Sequence, residues 1–202
     1  MKTYVKQSLD QTTEEKIKLA AEKLFMERGF SGTRTRDIAE SADINLALLN
    51  YYYRSKENLF NIIMMEKWEI FFDIIINTLQ DKSLDFPKKI SILTNEYYDL
   101  LMKDPKLPLF LMSEIQQNPD LFIEKLNIRA KTQNLIFAVD NEEMEIQLLL
   151  DFMSLTFFPF VLRDALEKVF ALNHEQYDEV LNKRKDYLVQ NIVTIYSKLV
   201  EK

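Results

Sequence analysis

The stretch from Thr33 to Glu57 holds the side chains with the most recognisable chemistry in the chain. Asn45, Leu46, Ala47, Leu48, Asn50 and Tyr51 fall within one short apolar and amide-bearing segment. An asparagine amide pairs with the N6/N7 edge of adenine, and Ala or Leu methyls pack on the methyl of thymine. A helix carrying this set into a major groove would lean toward A·T-rich sites. Thr33, Arg34, Thr35, Tyr52 and Lys56 flank it. Hydroxyl and cationic groups of that kind anchor phosphates and fix register without reading sequence. The N–H groups behind Ser55 add an anion site at a helix start.

Such side chains need helices to position them. Thr12-Thr13-Glu14-Glu15 has capping-box form and opens a helix whose inner face is Ile17, Ala20, Ala21, Leu24 and Phe25. Gly29 fits a left-handed C-cap. Thr33 or Thr35 is expected to cap a second short helix around Ile38, Ala39 and Ala42. Asp43 fits the turn, where positive φ is wanted, and Asn45 caps a third helix with Leu49 inward. Ser55 caps a long fourth helix over residues 56–79.

Amphipathic segments separated by proline and polar breaks fill the rest. They start at Phe86-Pro87, Asp104-Pro105 with Pro108, Asn118-Pro119, Asn141 and Asn173. With only two glycines and five prolines, the chain reads as all-α, about nine helices in all. Met144 to about Phe170 reads as one helix that Pro159 kinks. Its stretch Leu148–Leu162 is apolar nearly all round and needs partners on more than one side. A monomer could bury it. Dimerisation accounts for it together with the final stripe of Tyr177, Leu181, Leu188, Ile192, Ile195 and Leu199, so Leu148, Leu155, Leu181, Leu188, Ile192, Ile195 and Leu199 are the expected interface.

Charge is divided unevenly. Residues 1–60 carry ten Lys/Arg against nine Asp/Glu, and the remainder sixteen against twenty-three. Any nucleic-acid contact must then come from a local patch. Zero cysteines exclude disulfides and thiolate chemistry. No cofactor or metal is expected, since the sole histidine, His174, reads as a surface residue. Without a histidine pair, phosphate loop or nucleophile constellation, an enzyme is not expected. The polar N-terminus and the short apolar run suggest neither a leader nor a membrane span, hence a cytoplasmic protein.

Residues 12–60 resemble the DNA-binding domain of the TetR family of bacterial transcription regulators. The resemblance lies in Ala20-Ala21-Glu22-Lys23-Leu24-Phe25 with Glu27-Arg28-Gly29-Phe30, then Thr33 through Arg36-Asp37-Ile38-Ala39, then Tyr52-Tyr53-Arg54-Ser55-Lys56-Glu57-Asn58-Leu59-Phe60. Asp43 stands where the family usually has glycine, Ala47-Leu48 where Gly-Thr is frequent, and Asn50 where a tyrosine is frequent. The resemblance implies a helix-turn-helix domain over 1–55 and a ligand-binding and dimerisation domain over 56–202. It implies a homodimer on a palindromic double-stranded operator, usually repressing, released by a small-molecule effector. Arg36 matches a position that reaches a base or phosphate. Regulators of this build hold ligands between helices, which makes Trp68, Phe72, Tyr97, Phe110, Met112, Glu114, Phe122, Arg129, Phe137, Phe152, Met153 and Phe157 the pocket candidates. The rival reading is a helical small-molecule or lipid carrier with a purely structural head.

Overall fold

The computed structural model describes residues 12–117, 119–125 and 142–200, with backbone only for 121, 122, 125, 142, 199 and 200. Arg129, Phe137 and the expected helix start at Asn141 lie outside the described residues, as do the side chains of Phe122 and Leu199. Among the described residues every regular element is an α-helix, in ten segments: α1 Thr13–Gly32, α2 Thr35–Ser41, α3 Leu46–Tyr53, α4 Lys56–Gln80, α5 Phe86–Lys103, α6 Leu107–Gln117, α7 Pro119–Lys125, α8 Glu142–Val161, α9 Arg163–Val169 and α10 His174–Val200. Packing divides the chain within α4, after Glu66, whereas the sequence suggests a boundary ahead of that helix. The first turns of α4 belong to the head for two reasons. Phe60 sits 4.9 Å from both Phe25 and Phe30, and Glu66 pairs with Lys18 at 3.0 Å.

In the head, the capping box forms as expected: the Glu15 N–H donates to Thr12 Oγ1 at 3.2 Å and the Thr12 N–H to Glu15 Oε2 at 2.9 Å. Ile17, Ala20, Ala21, Leu24 and Phe25 are buried. Gly29 takes φ 69°, and no neighbour would crowd a side chain there. Its role is backbone freedom alone. The cap of α2 is Arg34, not Thr33 or Thr35. Asp43, at φ 54°, closes α2 with a Schellman pattern in which its N–H donates to the Glu40 carbonyl and the Ile44 N–H to that of Ala39.

In the second unit, Asp85 caps α5 by accepting the Lys88 N–H at 2.9 Å. Buried Lys89 donates to the Leu79 carbonyl at 2.7 Å and so satisfies the end of α4. Phe71, Tyr97 and Phe157 form an aromatic core with centroids 5.0 to 5.3 Å apart. Asn173 and Gln176 make the reciprocal cap expected at the start of α10.

The long helix expected over 144–170 is two helices, and the break is at Leu162 rather than Pro159. Proline has no N–H to give the Leu155 carbonyl. The Arg184 guanidinium donates there instead, at 3.3 Å, and the helix continues. By length and composition Glu143–Val161 reaches the hydropathy of a spanning helix, contrary to expectation. Here one of its faces packs on α5, α6 and α10.

Candidate nucleic-acid interface

The head presents one helix by its open face. Asn45 accepts the Leu48 N–H at 2.8 Å and starts α3, while Leu49 and Tyr53 anchor it inward. Tyr53 donates its hydroxyl to the Glu14 carbonyl at 3.0 Å. Burial, with Glu14 and Glu66 nearby, pushes its pKa to about 12, so it stays a neutral donor. At about 100° per residue, Tyr51 falls opposite this anchor, Ala47 about 140° from it and Asn50 on its flank at about 80°, and all three are exposed. Tyr51 is 79% exposed and Tyr52 39%, their rings edge-on at 5.4 Å. Arg34 and Arg36 are exposed at the start of α2, with Thr35 half-buried beside them.

Other expected contacts are used internally. Thr33 is fully buried, and its hydroxyl bridges the Leu24 and Gly29 carbonyls at 3.1 and 2.8 Å, so it is no phosphate anchor. Lys56 is engaged internally too. Its ammonium donates to the Phe30 and Thr33 carbonyls at 2.8 and 2.9 Å and lies 4.0 Å from the centroid of the Phe30 ring. Those carbonyls lie at the end of α1, which lacks helical partners for them and favours a cation. Asn45 has its amide oxygen committed to the cap, leaving only its NH₂ for a base. Leu46 and Leu48 are half-buried, and Leu48 lines a groove of about 650 Å³ with Leu19, Ile44 and Lys16. The face left for reading sequence is narrower than the segment suggests.

One feature escaped the sequence. Arg54 joins α3 to α4 at φ 62°, ψ −45°, with the Ser55 N–H donating to the Tyr53 carbonyl at 2.7 Å. This is a γ-turn of the strained hand. Nothing in an arginine marks it.

A three-helix head with the middle turn closed by Asp43 and the third helix laid open is a helix-turn-helix. The family model "Bacterial regulatory proteins, tetR family" matches residues 17–63, which span this head. A Bacillus subtilis (strain 168) protein described as "Probable HTH-type transcriptional regulator YttP" is 27% identical over 180 residues, covering 82% of this chain and 86% of that protein. The head is a DNA-binding domain of the TetR family. The likeness also runs past the head. A Streptomyces coelicolor protein described as "putative transcriptional regulator SCO4942" superposes with TM-score 0.65 at 19% identity, covering 91% of this chain and 98% of that one. A TetR-like regulator from Rhodococcus sp. RHA1 does so at 0.60 and 19%, covering 90% and 96%. The TetR fold therefore holds for the second unit as well, and the chain is a transcriptional regulator rather than an enzyme.

In that second unit the expected interface stripe is mostly internal. Leu148, Leu181, Leu188 and Ile192 are buried because α5 and α8 pack on that side of α10. Leu155 is half-buried and Ile195 exposed. Of the pocket candidates, Trp68, Tyr97, Phe110, Phe152 and Phe157 are buried. Tyr97 donates to the Phe71 carbonyl at 2.8 Å, and burial drives its pKa well above the usual tyrosine value. Trp68 stacks on half-buried Phe72 at 5.5 Å. Met153 is half-buried and Met112 exposed, so the described members of this set run from packed core to its edges. Glu114 is half-buried, its pKa raised by loss of water. His174 is largely exposed, as expected, yet its Nδ1 lies 2.8 Å from Glu167. Glu167 also accepts from Arg163 at 2.8 Å, and Arg163 in turn reaches Asp178 at 2.6 Å.

Proposed function

We propose that this TetR-family regulator is a homodimeric repressor that works in the cytoplasm on a palindromic operator and is released by a largely apolar effector. The observation that carries the reading is the exposure of Ala47, Asn50 and Tyr51 on α3, a helix anchored on its other side by Leu49 and Tyr53. Arg34, Thr35, Arg36 and Tyr52 serve as the flanking contacts. The basic patch is small on an acidic chain, so a single head binds weakly and two are needed.

The dimer face differs from the one the sequence suggests. Ile146, Leu150, Phe158, Leu162 and Val169 recur along α8 and α9 and are exposed, as are Val180, Tyr187 and Ile195 on α10. An apolar surface of that extent on a regulator is the kind a second copy covers. Two-fold pairing would set two recognition helices about 34–36 Å apart, one turn of DNA. An effector releases the operator only if it prefers a state that misfits this spacing.

The deciding experiment is selection of genomic fragments by the purified protein, followed by footprinting. Recovery of a common inverted repeat with symmetric protection supports the reading. Recovery of no common sequence, with binding that ignores salt, would leave the head structural and the reading wrong.

A further inference from the structure

Helices α5, α8 and α10 pack on one another, and among their buried polar atoms Thr94 Oγ1, the Tyr98 hydroxyl, Thr156 Oγ1 and Arg184 Nε lack a hydrogen-bond partner. Buried polar groups in native proteins are almost always paired, so four in one layer call for a reason. Thr94 and Tyr98 are one turn apart on α5. Thr156 follows Leu155, whose carbonyl takes the other end of the Arg184 guanidinium at 3.3 Å. The Tyr98 ring meets Phe160, one turn beyond Thr156, edge-on at 5.3 Å. Arg184 lies within electrostatic reach of the Tyr98 phenol, though no bond of regular geometry joins them.

The two inward arginines of this unit differ in one respect. Arg163 is matched by Glu167 and Asp178. Arg184 donates to a carbonyl, and no described carboxylate pairs with it. A half-buried guanidinium beside unpaired hydroxyl donors suits a planar anion, which accepts from both.

We propose that Arg184, Tyr98, Thr94 and Thr156 form the polar subsite for the carboxylate head of an apolar effector. This rests on the effector reading above and names its chemistry. Arg184 Nε and the Tyr98 O–H donate to the carboxylate oxygens, and the threonine hydroxyls complete the shell. The apolar body lies along the neighbouring rings of Tyr97, Phe152 and Phe157. These rings are in contact, so occupancy requires α8 to shift on α5. An amine is repelled by the guanidinium, and an alcohol leaves donors unsatisfied.

The test uses the full chain, with dodecanoate and dodecanol as probes and the single tryptophan, Trp68, as reporter. Dodecanoate is expected to bind about tenfold or more tighter than dodecanol. Tyr98→Phe removes an unpaired hydroxyl, so the ligand-free Tm holds or rises while dodecanoate binding weakens several-fold. Arg184→Gln abolishes the preference for the carboxylate. Equal binding of the two probes overturns the proposal, and so does a lowered ligand-free Tm for Tyr98→Phe. Undiminished dodecanoate binding by Tyr98→Phe also overturns it, whether or not Arg184→Gln folds. Binding as expected with operator affinity unchanged supports the subsite and refutes release by this ligand, so the two readings fail separately.

Discussion

Replacing Lys56 by methionine separates a clip from a phosphate contact. Methionine keeps the apolar stem and deletes only the ammonium. That ammonium makes two charge-assisted hydrogen bonds, at 2.8 and 2.9 Å, and a ring contact at 4.0 Å. Hydrogen bonds to charged groups contribute about 1.5–3 kcal/mol when well shielded. Lys56 is half-buried, so water screens part of this. A loss of about 2 kcal/mol in head stability follows, with the Phe30 and Thr33 carbonyls left to water. The assay pairs urea unfolding with operator affinity measured at several salt concentrations. A clip lowers the urea midpoint and leaves the slope of log affinity against log salt intact. A phosphate anchor does the reverse: each lost contact removes about 0.9 from the slope, or about twice that for two heads. An unchanged midpoint with a shallower slope would refute the assignment of Lys56 to the fold.

Further outcomes can be stated for other residues. Tyr51→Ala is expected to lower operator affinity about tenfold while leaving the thermal midpoint unchanged, since a side chain 79% exposed contributes little to packing. Phe158→Glu is expected to give folded monomers by sedimentation, whereas Leu188→Glu, at a site 1% exposed, unfolds the chain because the charge is buried unpaired. Arg54→Gly relieves a positive φ and is expected to raise head stability by about 1 kcal/mol in chemical unfolding. Burial alone would raise the Glu167 pKa, but hydrogen bonds from His174 and Arg163 hold it below the ordinary 4.5. Its contribution is therefore complete above that value and lost as pH falls through the depressed one. Glu167→Gln should flatten the thermal midpoint of the wild type in that acid window, and an unchanged acid profile would show the network to be inert.

What the sequence discloses here is what local chemistry decides. The Thr12–Glu15 cap, the Asp43 turn, the Ser55 and Asn173 caps and the inner face of α1 all depend on residues within a turn of one another. The roles of Thr33 and Lys56 depend on the carbonyls of a different helix, and no spacing rule reports those. The stripe of Leu181, Leu188 and Ile192 is a true helical stripe. Periodicity says that it is covered and not by which helix, and α5 and α8 of the same chain cover it. Arg184 could have been noticed, as a charge one turn from Leu181 on an apolar face. The break at Leu162 could not, because the donor that carries the helix past Pro159 comes from α10.

The way α4 begins has a mechanical consequence. Its first turns are tied to α1 by Lys56 on two carbonyls, by Phe60 between two rings and by Glu66 on Lys18. Pulling on α4 therefore carries α1 along instead of bending it. The first turns of α4 are thus part of the head's own body, and a load on them is shared by α1 through an ammonium, a ring and a carboxylate.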